Sequence, residues 1–282
     1  MKCYYHNDAD GRCAGAIVHQ AYESVEKDEK NIFIEVDYKD SIDMKGIAGG
    51  EKVIIVDFSF KPEIMNKLLE TTSDIIWLDH HKTAFEYEKS YNTILRGLRD
   101  DKYSACELAW RFFCHEQKMP RAVELIGDRD KWAWKYGTET AWFNQGLKVF
   151  AHQPKDVLWN DLLTNNKEVL QSVIDAGEIC IRYRNNFCKD YADSYGFETD
   201  FEKHRAYALG MYMFGSEAFG ERFTKYPICL SFVYVGDKWV VGLYSKAIDV
   251  SKIAKKYGGG GHKGAAGFVC DNLPFAKSPV SV

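Results

Sequence analysis

Three short stretches in the first half of this 282-residue chain bring carboxylates to the ends of apolar runs, two of them with imidazoles. His6-Asn7-Asp8-Ala9-Asp10-Gly11 follows an apolar start, Asp57 closes the run Val53-Ile54-Ile55-Val56, and Asp79-His80-His81 closes Asp74-Ile75-Ile76-Trp77-Leu78. A further acidic pair stands in Gly127-Asp128-Arg129-Asp130. Taken singly, each has a plain structural reading, such as a polar turn or a helix N-cap. Taken together they share one property: each of the first three follows an apolar run that reads as a strand. In open parallel sheets the carboxyl ends of strands share one edge, and ligand crevices open there. Carboxylates and imidazoles gathered within a few ångströms cannot all stay ionised unless cations lie between them. Oxygen and imidazole donors without thiolate suit Mn²⁺, with Mg²⁺ or Fe²⁺ as alternatives, better than a structural zinc. Four aspartates facing two divalent cations balance in formal charge, as in centres whose ions, roughly 3.5–4 Å apart, clamp an in-line phosphoryl displacement.

The elements that must position these residues are partly legible. A strand over Cys3 to His6 is expected to lead into a close-packed helix through Gly11-Arg12-Cys13-Ala14-Gly15-Ala16-Ile17-Val18. Ile32 to Val36, Val53 to Asp57 and Asp74 to Asp79 read as further strands. Ser104 and Glu107 form a capping box opening a helix to about Gln117, and a second helix from Arg121 runs into the Asp128 region. Lys155 to about Asp193 is helical and charge-rich, with a loose apolar stripe at Leu170, Val173, Ile174 and Ile181 that suits a connecting helix.

Beyond it the pattern changes. Tyr207 to Phe214 reads as a strand, Ser216 to Lys225 as a helix, and Ile228 to Val235 with Lys238 to Tyr244 as a hairpin turning at Gly236-Asp237. A short helix from Asp249 to Lys256 precedes Gly258-Gly259-Gly260-Gly261-His262. The expected architecture is α/β, with a mainly parallel N-terminal sheet carrying helices on both faces (residues 1–150), a helical connector (151–195) and a smaller mixed α/β domain (196–282). Consecutive glycines can turn backbone N–H groups into an anion-binding concavity. Gly259, Gly260, Gly261 and His262 are therefore candidate substrate contacts, with Lys263 as an added donor.

Composition narrows the class. The chain is 46% hydrophobic and 28% charged, with mean hydropathy −0.37, as in globular proteins. No apolar run approaches the ~18 residues of a membrane span, and the polar start is not that of a secretory signal. A net charge of −4 argues against wrapping a duplex by bulk electrostatics. The eight cysteines contain no Cys-x-x-Cys pair and suit scattered thiols in a reducing, cytoplasmic compartment. Aromatic residues make up 15% of the chain; most belong to the core, and the rest are available for base stacking.

These motifs resemble those of the DHH phosphoesterase superfamily, whose four signatures occur here in order: His6 to Gly11, Asp57, Asp79-His80-His81, and Asp128. Gly258 to Gly267 looks like the signature of the associated DHHA1 substrate domain. The forms His-Asn-Asp-x-Asp-Gly and Gly-Asp-x-Asp-x-Trp are most similar to nanoRNase B-type oligoribonucleases. The resemblance implies a two-metal, Mn²⁺-dependent hydrolase. His6, Asp8 and Asp57 would hold one ion, and Asp10, Asp57, His80 and Asp128 the other, with Asp57 bridging. Asp128 and Asp130 both fit the fourth motif. Asp79 would fix an imidazole tautomer, and His81 would face the phosphate.

The implied activity is 3′-5′ exonucleolytic release of 5′-mononucleotides from short single-stranded oligoribonucleotides in a cleft that excludes duplex, with no role at a membrane. Hydrolysis of linear or cyclic dinucleotides, phosphoadenosine phosphate or pyrophosphate is the nearest alternative, and a non-enzymatic nucleotide-binding sensor the remote one. Oligomeric state leaves no trace in the sequence.

Overall fold

A computed structural model describes residues 1–23, 31–38 and 46–277, which fall into two compact units, Met1–Cys180 and Ile181–Val282. In the first unit, strands β1 (Lys2–His6), β2 (Ile32–Val36), β3 (Val53–Val56), β4 (Ile75–Asp79) and β5 (Arg96–Arg99) form one sheet in the order β2-β1-β3-β4-β5. Every neighbouring pair is parallel. The helices of this unit are α1 (Ala9–Glu23), α2 (Pro62–Thr71), α3 (Lys82–Glu88), α4 (Ala105–Phe113), α5 (Arg121–Asp130), α6 (Thr138–Leu147), α7 (Leu158–Leu163) and the first part of α8 (Lys167–Tyr195).

Alternation along the strands divides the core into two layers. Cys3, Tyr5, Ile54, Val56, Ile76 and Leu78 pack with Ile17 of α1, Trp110 of α4 and Val123 of α5. Tyr4, Val53, Ile55, Ile75 and Trp77 pack instead against Met65 and Leu68 of α2 and Ala84 of α3. Both faces are thus covered, which is why the strands read as continuous apolar runs rather than alternating ones. The strand order reverses between β1 and β3, and a crevice opens at the carboxyl ends beside such a reversal. His6 ends β1, Asp57 follows β3 and Asp79 ends β4, so the sheet topology gathers the three clusters there.

Two local features set the geometry of that edge. Gly11 lies so close to β1 that a Cβ would come within 2.3 Å of the His6 carbonyl oxygen. The capping box at α4 forms as the sequence implies, with the Ser104 N–H donating to Glu107 Oε2 at 2.9 Å.

Several elements differ from expectation. The α4 helix stops at Phe113, short of Gln117, because Cys114 leaves the helical region at φ −126°, ψ 29°. The long helical stretch is interrupted: Asn165 takes φ 60°, and the Asn166 side chain accepts the Glu168 N–H at 3.1 Å where α8 begins. Segment 151–195 is therefore divided between the two units rather than standing apart. β5 escapes the sequence pattern because Leu98 is the one apolar side chain between its two arginines; Gly97, at φ 136°, has a Cβ position 1.9 Å from the Trp77 carbonyl oxygen.

The second unit holds a six-stranded mixed sheet formed by β6 (Phe197–Phe201), β7 (His204–Leu209), β8 (Ile228–Val235), β9 (Lys238–Tyr244), β10 (Gly260–His262) and β11 (Ala265–Cys270). Its order is β10-β11-β9-β8-β7-β6, and β7 with β8 is its parallel pair. The β8–β9 hairpin turns at Gly236, φ 67°. The strand expected to Phe214 ends at Leu209. The helix expected over Ser216 to Lys225 is a 3-10 turn, Gly215–Phe219, and the single helical turn α9 (Arg222–Lys225), parted by Gly220 at φ 53°. Helix α10 (Val250–Lys256) packs Val250, Ile253 and Ala254 on the sheet. No helix among the described residues is long and apolar enough to cross a membrane.

Replacing Gly11 by alanine is expected to force α1 off β1 and lower stability by roughly 1–3 kcal/mol. Denaturant unfolding of the purified variant checks this; an unchanged midpoint would mean that the contact relaxes without cost.

Candidate metal centre

Each acid at the sheet edge is held by its own element. Asp8 accepts the Gly11 N–H at 2.9 Å, capping the start of α1, and its other oxygen lies 2.9 Å from His6 Nδ1. Asp10, only 2% exposed, accepts the N–H groups of Ala105 and Cys106 at 2.7 and 2.9 Å. These are the first donors of α4, so the helix terminus supports a buried negative charge. Asp57 is 1% exposed and held at φ 56°, a left-handed conformation uncommon for a residue with a Cβ. Its Oδ1 lies 3.2 Å from His80 Nε2, and its Oδ2 3.6 Å from His6 Nδ1.

Asp79 is fully buried and saturated. Its Oδ1 accepts the backbone N–H groups of His80 and His81 at 2.7 and 3.1 Å and lies 2.8 Å from His81 Nδ1; its Oδ2 accepts the Ser59 hydroxyl. That arrangement favours a proton on His81 Nδ1 and leaves Nε2 with its lone pair.

The fourth motif resolves between its two acids. Asp128 turns away from the cluster and accepts the N–H groups of Lys135 and Tyr136, at 2.8 and 3.2 Å, and the Thr140 hydroxyl. Asp130 brings Oδ2 to 3.5 Å from His80 Nε2. Residues i and i+2 of a helix do not share a face, so α5 cannot present both acids to one point. The assignment to Asp128 is corrected accordingly: Asp130 joins the cluster, and Asp128 fastens the loop that follows α5.

Ligand-type atoms fall into three groups, each within 4.8 Å: His6, Asp8 and Asp57; Asp57, His80 and His81; and Asp10, His80 and Asp130. Both Asp57 oxygens and His80 Nε2 are buried without a well-formed hydrogen bond among the described residues. Buried polar atoms are rarely left so, and a divalent cation is the partner this donor set fits.

The electrostatics agree. Burial, then the charge of Asp10, pushes the Asp57 carboxyl well above the usual carboxylate range. Burial and Asp10 likewise raise Asp130, to about 7, with His80 opposing. Burial disfavours charge on His6, but hydrogen bonds to Asp57 and Asp8 outweigh it and raise the imidazole to about 10. Asp8 is lowered to about 2, burial being outweighed by His6 and the Gly11 N–H. Asp57, Asp130 and His6 are thus shifted toward their protonated forms where a cation would supply positive charge, while Asp8 is shifted toward its ionised form.

Three contributors left no readable mark in the sequence. Ser59 bonds Asp79, Thr140 bonds Asp128, and Tyr38 lies against the cluster, its ring 5.5 Å from that of His6 and 6.1 Å from that of His81. In the second unit, Gly260 to His262 form β10, the exposed edge strand of the sheet, paired with β11. The glycines there meet a packing need: a Cβ on Gly259 would lie 2.1 Å from the Gly267 carbonyl oxygen, and one on Gly261 2.6 Å from the Ala266 Cα.

A doubly covered parallel sheet with acids and histidines gathered at its switch point places the cluster where ligand crevices open in α/β folds of this class. Residues 3–128 match the family model for the DHH family, N-terminal domain. A relative from Acanthamoeba polyphaga mimivirus, the uncharacterized protein R106, is 25% identical over 244 residues, covering 80% of this chain and 56% of that protein. The chain thus spans little more than half the length of that relative. Among solved structures, the pGpG-specific phosphodiesterase PggH of Vibrio cholerae is similar in fold, with a TM-score of 0.58 and 15% identity over 96% of this chain and 93% of its own. The DHH domain of a member of a ribosomal-protein family has a TM-score of 0.55 and 14% identity over 95% of this chain and 82% of its own.

Asp130→Asn is expected to weaken Mn²⁺ binding by at least ~10–100-fold with little loss of stability. Asp128→Asn should instead cost roughly 1–3 kcal/mol of stability and affect metal only indirectly. Calorimetric titration and thermal unfolding of both variants separate the two roles, and the reverse pattern would overturn the assignment.

Cation binding must also expel protons from His6 and Asp130. Affinity for Mn²⁺ is therefore expected to rise with pH between about 6 and 8, with a proton released from His6 throughout and a second, from Asp130, at the low end. Titrations at about pH 6.5 in buffers of different ionisation enthalpy measure that release; buffer-independent heats would contradict it.

Proposed function

We propose that the chain is a divalent-metal-dependent phosphodiesterase, with Mn²⁺ as its metal and short single-stranded oligoribonucleotides as its substrates, releasing 5′-mononucleotides from the 3′ end. The observation that carries this reading is Asp57, a buried carboxylate without a well-formed hydrogen bond among the described residues, placed between two sets of further donors. His6, Asp8 and Asp57 would hold one cation, and Asp10, Asp57, His80 and Asp130 the other. Bound there, the cations would neutralise the phosphate and lower the pKa of water.

The chain's own groups complete the chemistry. Asp79 fixes the His81 ring through Nδ1, and Nε2, once it has taken up a proton from solvent, would give that proton to the departing oxygen. The Ser59 hydroxyl and two backbone N–H groups hold Asp79 itself in place, which fixes the ring it orients. The N-terminus of α4 holds Asp10 beside His80 through two backbone N–H donors. In the second unit, the exposed edge of β10 with His262 would offer N–H donors to a terminal phosphate.

A narrower reading, hydrolysis of linear dinucleotides alone, is favoured by the net charge of −4, since few phosphates can be neutralised away from the metals.

The test is hydrolysis, with Mn²⁺, of pyrophosphate, a cyclic dinucleotide, a linear dinucleotide, and RNA and DNA 5-mers. Mononucleotide release from both the dinucleotide and the RNA 5-mer is expected, falling to background in Asp57→Ala. Cleavage of the dinucleotide alone would select the narrower reading. Mn²⁺ binding without hydrolysis of any member would rule out the enzyme.

A further inference from the structure

The loop that follows α5 keeps a large aromatic side chain in water at an energetic cost. Trp132 is 64% exposed, and both Trp132 and Trp134 have φ 56°, in the left-handed region that residues with a Cβ seldom occupy. Strain of this kind persists only where surrounding bonds over-determine it. Here they do. The Lys131, Trp132 and Ala133 N–H groups donate to the carbonyls of Gly127, Arg129 and Asp128 at 2.9, 3.1 and 3.0 Å. The Asp128 carboxylate then ties down Lys135 and Tyr136 beyond the two tryptophans.

The same loop brings a cation to the ring. The Arg129 guanidinium carbon lies 4.1 Å from the Trp132 ring centroid and 5.2 Å from that of Trp134, and the two indoles meet edge to face at 5.1 Å. The consequence is a preorganised indole whose orientation is fixed from below. Its position matters as much. Two peptide units place the Trp132 Cα at most ~7.6 Å from the Cα of Asp130, whose carboxylate belongs to the metal cluster. A nucleotide with its phosphate at that cluster would carry its base over a comparable span.

We infer that Trp132, backed by Arg129, is a platform on which a nucleobase of the substrate stacks beside the candidate metal centre. This rests on the phosphodiesterase reading and deepens it: the site selects substrates that carry a base next to the scissile phosphate, and pyrophosphate lacks one. Stacking on an indole accepts any base, because every base has a π-face, and a guanidinium adds cation–π attraction and charge. Asp128 is on this account a positioning residue, holding the loop that presents the ring.

The test compares Trp132→Ala and Trp132→Phe on a linear RNA dinucleotide and on an analogue with the same phosphodiester but no base. In Trp132→Ala, KM for the dinucleotide should rise about tenfold or more while kcat stays within roughly twofold. The base-free analogue and the calorimetric Mn²⁺ affinity should be unaffected, and Trp132→Phe should restore most of the loss.

Equal losses on both substrates would make Trp132 a support of the metal loop, and no change on either would remove it from the site. If the wild type cleaves both substrates with the same KM, the platform is refuted while the metal centre stands. If it binds Mn²⁺ and cleaves neither, the phosphodiesterase reading fails and the platform falls with it.

Discussion

The carboxylate of Asp57 is confined where its charge is hardest to bear. It is buried at the head of β3, in a left-handed backbone conformation, with Asp8 and Asp10 close enough to repel it and only imidazoles to oppose them. Two carboxylates in one low-dielectric pocket cannot both ionise unaided. Much of the surrounding structure answers that constraint. The sheet supplies rigid strand ends that cannot drift apart to relieve the repulsion. Each neighbouring acid is given a separate source of positive potential: the start of α1 for Asp8, the start of α4 for Asp10, and two backbone N–H groups with a hydroxyl for Asp79. Asp57 receives none of these. A site built this way has a donor set that fits divalent cations, whose charge would relieve the repulsion.

The division of labour between acids follows from the same logic. An acid whose lone pairs are already satisfied by N–H and O–H donors has little left for a metal, so Asp79 and Asp128 position other groups, while Asp57 and Asp130 retain their capacity. Function here depends on which carboxylates are left short of donors, and hydrogen bonding to the others makes that selection. The strained loop past Asp130 extends the pattern: left-handed backbone is held at Asp57 in the cluster and at Trp132 and Trp134 in the loop that follows Asp130.

The second unit meets different demands. Its glycine run, which in isolation invites reading as an anion cradle, is required where β10 and β11 approach closely at Gly259 and Gly261. Any role in substrate contact is therefore carried by the exposed β10 edge and by His262 rather than by an open nest of consecutive N–H groups.

What the sequence determined by itself was the first unit's inner sheet and the identity of most of its acids and histidines. β1, β3 and β4 are legible because strands buried on both faces leave continuous apolar runs, β2 because this edge strand is still largely apolar, and His6, Asp57 and Asp79 stand where β1, β3 and β4 stop. The β8–β9 hairpin and the capping box at Ser104 were legible for the same kind of reason, since each depends on contacts a few residues apart. Tertiary structure alone decided the rest. Arg96 to Arg99 is a strand only because β4 offers it an edge, and Gly97 alone can pass the Trp77 carbonyl. Asp128 and Asp130 are equivalent as letters, and only the turn of α5 against His80 separates them. Tyr38 and Ser59 reach the cluster, and Thr140 the Asp128 carboxylate, from other parts of the chain. Local propensity and burial periodicity are written in neighbouring residues; the satisfaction of a buried carboxylate is written in groups that only the folded chain brings within about 3 Å.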